Sequence, residues 1–88
     1  MANVVVSASM EDGTGLGMKV FIDGTVLFFD HSATQTVDLD PGPHLATVMG
    51  HEPSSSDVVV QFLEGNEAIG QQTYSSPTFG GFIKFTVI

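Results

Sequence analysis

Asp38, Asp40 and His44 come closest, by type and spacing, to residues that could hold a metal. Carboxylates two apart in an extended segment point to one side, and His44 follows just past the Pro41-Gly42-Pro43 turn, so oxygen and nitrogen donors could converge on calcium or zinc. No calcium-loop pattern accompanies them, and neither His-x-His nor His-Glu-x-x-His occurs; His51-Glu52 runs into Pro53 instead. The solvent face of an edge strand accounts for the same carboxylates, since inserted charge discourages edge-to-edge aggregation. No metal and no cofactor is therefore assigned. Gly13-Thr14-Gly15-Leu16-Gly17 has the look of a phosphate loop, but its spacing is G-x-G-x-G and a strand follows where a helix N-terminus is needed. Glu11 and Asp12 would repel a phosphate there, so it reads as an interstrand loop.

Nucleophilic chemistry has still less support. The chain has no cysteine, hence no thiol nucleophile, thiolate metal site or disulfide. No G-x-S-x-G elbow occurs, and Ser54-Ser55-Ser56 sits beside Pro53 in a stretch that reads as a solvated turn. Most carboxylates fall at strand ends and turns, and a chain of 88 residues has little room to wall off a catalytic cleft. The expectation is a protein that is not an enzyme.

Charge narrows the partners. Lys19 and Lys84 are the only cationic side chains besides histidine, against ten carboxylates, for a formal charge of −8. Nucleic acid needs clustered Lys and Arg to neutralise phosphates, and anionic lipid needs a polybasic patch; neither is present. The longest apolar runs, such as Val26-Leu27-Phe28-Phe29, fall far short of the roughly 20 residues that span a bilayer, so no membrane insertion is expected. Met1-Ala2-Asn3-Val4 does not read as a secretory signal, which points to the cytoplasm by default, with an exported mature domain as the alternative.

The elements that position these residues are strands. The apolar residues are dominated by 11 Val and 7 Phe, with 8 Thr beside them, and no 3.6-residue stripe is long enough for a helix. Turn residues punctuate the chain at short intervals. Strands are expected at Asn3–Met10, Met18–Ile22, Thr25–Asp30, Thr34–Asp40, His44–Met49, Asp57–Leu63, Ala68–Thr73 and Phe79–Ile88, with Gly80-Gly81 marking a bulge or a close backbone approach. Residues 1–88 thus form one domain, an all-β, small immunoglobulin-like or prealbumin-like Greek-key sandwich of seven or eight strands.

One hairpin carries the sharpest expectation. With Asp23-Gly24 as a two-residue turn of the I′ kind, Phe21 faces Val26 and Lys19 faces Phe28. Alternation then puts Met18, Val20, Ile22, Leu27 and Phe29 on one side, and Lys19, Phe21, Val26 and Phe28 on the other. Both sides are apolar, whereas a hairpin facing water reads apolar on one side only. Another part of the chain, a second subunit or a ligand has to cover the second side. Lys19, Phe21, Val26 and Phe28 are accordingly the candidate interface.

The stretch Val20-Phe21-Ile22-Asp23-Gly24, followed by Val37-Asp38-Leu39-Asp40-Pro41-Gly42-Pro43-His44 and then Ala46 and Val48, resembles PEGA-type domains and related prealbumin-like modules of bacterial envelope proteins. The likeness spans residues 20–48; the tetrapeptide that names the family is absent. It implies a non-catalytic accessory or adhesion-type module, often exported. The reading that follows is a β-sandwich acting through contact with protein, including itself as a homodimer. The alternative is a calcium- or carbohydrate-binding module using loops 11–17, 40–44 and 50–57; an enzyme inhibitor presenting loop 50–57 fits the composition without residues that single it out.

Overall fold

Period-two alternation of apolar and polar residues becomes eight strands in the computed structural model, which describes residues 2–10, 16–52, 57–75 and 77–88. They are β1 (Ala2–Met10), β2 (Gly17–Ile22), β3 (Thr25–Phe29), β4 (Ala33–Leu39), β5 (Gly42–His51), β6 (Val58–Glu64), β7 (Glu67–Tyr74) and β8 (Thr78–Val87). Every expected strand is present. The largest departure is β5, which starts before His44 and ends after Met49 because β8 pairs with it from Gly42↔Val87 to His51↔Thr78. Residues 11–15, 53–56 and 76, including the Gly13-Thr14-Gly15 and Ser54-Ser55-Ser56 stretches, lie outside the described residues.

Two antiparallel four-stranded sheets stack into a β-sandwich, ordered β4-β1-β6-β7 and β3-β2-β5-β8. Only β2–β3 and β6–β7 are hairpins within a sheet; every other connection crosses between sheets. β4 returns to lie beside β1 after the β2–β3 hairpin has been placed in the opposite sheet, a return of Greek-key kind. The β2–β3 register is the one that the turn chemistry predicts, from Ile22↔Thr25 out to Met18↔Phe29. Asp23 and Gly24 both take positive φ, 49° and 80°, as a type I′ turn requires.

The core lies between the sheets. Val4, Val6, Val58, Val60 and Phe62 from one meet Met18, Val20, Ile22, Val48, Ile83 and Phe85 from the other, all buried. Phe62 stacks on Phe85 across the sandwich at 4.6 Å between ring centroids, and Tyr74 stacks on Phe79 at 4.8 Å. The expected irregularity at Gly80-Gly81 takes the second of its two forms. Pairing with β5 continues through Met49↔Gly80 and Val48↔Gly81 without a shift, while a Cβ at Gly80 would lie 2.8 Å from the Val48 carbonyl oxygen. The bulge is instead in the β6–β7 ladder, where Phe62 pairs with Gly70 and Leu63 with Ala68, leaving Ile69 as the extra residue.

Two measurements check this packing. Gly80→Ala forces a Cβ against backbone, and the expected loss is about 1–3 kcal/mol of unfolding free energy in urea titration. The buried Tyr74 hydroxyl finds no hydrogen-bond partner among the described residues, so Tyr74→Phe is expected to raise stability, by up to about 1 kcal/mol.

Candidate interaction face

Each strand of the β3-β2-β5-β8 sheet turns alternate residues inward to the core, and the other half faces out. Outward from β2 point Lys19 and Phe21; from β3, Val26 and Phe28; from β5, Leu45, Thr47 and Met49; from β8, Phe82 and Lys84. Phe82 is 71% exposed, Met49 59%, Phe28 55%, Val26 53% and Leu45 47%. Among the described residues, every exposed large hydrophobic side chain apart from Ile88 belongs to this one face. Scattered apolar residues on a surface call for no explanation, but a contiguous patch on one sheet does.

The ladder registers sort the face into rows across the strands. Phe28, Lys19, Met49 and Gly80 share one row; Val26, Phe21, Thr47 and Phe82 share the next. Between Phe28, Lys19, Phe21, Met49 and His51 the surface dips into a depression of about 380 Å³. No carboxylate interrupts either row, and both lysines stand on this face. The outer face of the opposite sheet is more polar: Asn3, Ser9, Thr34, Thr36, Asp38, Gln71 and Thr73 are exposed on it, Val5, Val59 and Leu63 stand half-buried among them, and Gln61 donates a hydrogen bond to Gln71 at 2.9 Å. Among the described residues, one sheet leaves large apolar side chains exposed on its outer face and the other keeps its outward ones half-buried.

The four residues of the predicted interface therefore come together as adjacent cross-strand pairs, Lys19 with Phe28 and Phe21 with Val26. Lys19, Val26 and Phe28 are exposed and Phe21 is half-buried, so no other part of the described chain covers them. Leu45, Met49 and Phe82 extend the patch beyond what the hairpin alone indicated. Alternation within β8, with Ile83, Phe85 and Val87 buried, would have set Phe82 outward; that β8 lies two strands from β2, on the far side of β5, is not readable from local pattern.

Asp38, Asp40 and His44 are arranged otherwise than a three-donor site would need. Asp38 is exposed on edge strand β4, opposite Asn3, and Asp40 lies in the turn after it. His44 is nearly buried, stacked on Phe85 at 5.5 Å, and both its ring nitrogens are engaged. Nδ1 donates to the Asp23 carboxylate at 2.8 Å and Nε2 to the backbone carbonyl of Asp40 at 2.7 Å. Two acceptors on two ring nitrogens call for two ring protons, the imidazolium state. The Asp40 carbonyl, and after it the charges of Asp23 and Asp40, raise the His44 pKa above its ordinary 6.5 despite the opposing effect of burial. His44 thus ties the β2–β3 turn to the β4–β5 turn. Among the described residues, no group of three or more His, Asp or Glu side chains is placed to hold a metal ion, and no helix is long and apolar enough to cross a membrane. An open groove of about 910 Å³ lies beside the clamp, lined by His44, Glu67, Ile69, Lys84 and Phe85 among others.

Comparison with family models, curated proteins and solved structures finds no match to this chain.

The clamp sets a pH dependence. A group whose folded pKa is raised stabilises the fold fully below its unfolded value, near 6.5, and that stabilisation is lost as pH rises through the folded value. The wild-type urea midpoint is expected to fall across this window, and His44→Gln to lack that part of the fall. Parallel profiles for the two proteins would show that the clamp contributes nothing.

Proposed function

We propose that this chain is a non-catalytic β-sandwich module that acts through protein–protein contact, self-association included, using the outer face of the β3-β2-β5-β8 sheet. The observation that carries this reading is the collection of Val26, Phe28, Leu45, Met49 and Phe82, all exposed, on one face, while the outer face of the opposite sheet exposes polar residues and keeps Val5, Val59 and Leu63 half-buried. Burying such a face gains about 25 cal/mol per Å² of apolar surface removed from water. An apolar centre without carboxylates, rimmed by charge at the Asp23 turn and at Asp30, also has the layout of an interface, depleted of acidic residues in the middle and polar at its edge. The resemblance of residues 20–48 to PEGA-type and prealbumin-like modules agrees with an accessory role.

Sedimentation velocity or light scattering tests the reading. The wild type is expected to dimerise with concentration, and Phe28→Asp, which sets a carboxylate at the β3 end of the first row, to weaken association by on the order of 30-fold or more, as loss of an anchor worth about 2 kcal/mol does. Phe28 is exposed in the single chain, so the variant keeps its fold. A strict monomer, or a dimer indifferent to Phe28→Asp, would overturn it.

A further inference from the structure

Resting on that reading, the geometry points to one way of pairing: we propose that a second copy docks face to face about a two-fold axis running along the strands between β2 and β5, so that β8 of each copy lies over β3 of the other.

Such an axis exchanges β2 with β5 and β3 with β8 and leaves the level along the strands unchanged, so the registers say what meets what. In the first row, Phe28 of one copy comes over Gly80 of the other, and Lys19 over Met49. In the second, Val26 comes over Phe82 and Phe21 over Thr47. Past these rows, the Asp23-Gly24 turn ends β2 and β3 at the level where Leu45 pairs with Lys84. Lys84 of each copy is thereby brought to the Asp23 turn of the other.

Two features favour this occupant and this axis. At three of the four crossings a large side chain meets a smaller one, Phe28 on Gly80, Phe82 on Val26 and Phe21 on Thr47, which favours interdigitation of the two layers, and the fourth lays the flexible chains of Lys19 and Met49 together. The charges match: a cation meets the acidic turn twice, once from each copy, and the apolar rows bring no two carboxylates together. A two-fold axis running across the strands instead would set like on like where it passes through a row, Phe82 on Phe82 or Lys19 on Lys19, and where it passes between the rows would bring Asp30 of one copy toward the Asp23 turn of the other, acid toward acid; it is disfavoured for those reasons.

The chain has no cysteine, so introduced thiols report cleanly. Val26→Cys and Phe82→Cys replace exposed side chains and leave the core intact. A short bis-maleimide with a reach near the roughly 10 Å between packed sheets is added to each variant alone and to the two mixed. The expected result is covalent dimer in the mixture and none in either variant alone, because like positions sit three strand spacings, roughly 14 Å, further apart sideways. Covalent dimer from Val26→Cys alone would establish the axis across the strands; the pairing would fall and the face would stand. A dimer by sedimentation that neither sample cross-links would also overturn the pairing, with Phe28→Asp deciding the face separately. A strict monomer would overturn both.

Discussion

The stack of Phe62 on Phe85 is the contact on which the rest of this molecule turns. It joins the two sheets through two buried rings. Phe62 comes from β6 in one sheet and Phe85 from β8, the edge strand of the other. With Phe85 held inward, alternation leaves Lys84 and Thr86 outward, and two residues back Ile83 is buried and Phe82 exposed. A slip of one residue in β8 would reverse all of these. The same ring also stacks on His44, so the core contact helps seat the histidine that ties together the turns at Asp23 and Asp40. Core packing and the composition of the outer face are therefore one choice of register.

Much of this was legible in the residues. Strand positions follow from Val, Phe and Thr alternating between turn signals, and the β2–β3 ladder follows pair for pair from Asp23-Gly24, because a two-residue turn leaves no freedom in register. The two-sided apolar character of that hairpin identified half of the exposed face. What was not legible was the assembly of strands that are distant in sequence. Nothing local in β5 or β8 states that they pair, so Leu45, Met49 and Phe82 could not be joined to Phe21 and Phe28. His44 shows the same limit. Its spacing from Asp38 and Asp40 suggested shared carboxylate donors, whereas its carboxylate partner is Asp23, on a turn 21 residues earlier that the fold brings alongside.

Gly80 links fold and face in a way that composition could not show. The residue is small because the Val48 carbonyl lies where a side chain would begin. The consequence on the outside is a gap in the row that holds Phe28, Lys19 and Met49. A packing requirement of a single chain thus leaves one outward position of the row without a side chain, and in an isologous pair that position can take a side chain from across the axis.

The charge balance takes on a different meaning once the sheets are in place. A net −8 spread evenly would make any two copies repel. It is not spread evenly: Lys19 and Lys84 both stand on the apolar face, Asp23 and Asp30 mark its ends, Asp38 lies on the opposite sheet and Glu52 is buried. The outer face of one sheet is thus the least acidic part of an acidic molecule. Repulsion between copies falls off over about 8 Å at physiological ionic strength, while apolar burial acts at contact. Copies that approach with their lysine-bearing faces toward each other's acidic turns meet the least repulsion at the point where the apolar surface can be buried. The acidic composition that argues against phosphate-rich partners therefore also favours the proposed pairing over orientations that set acid against acid.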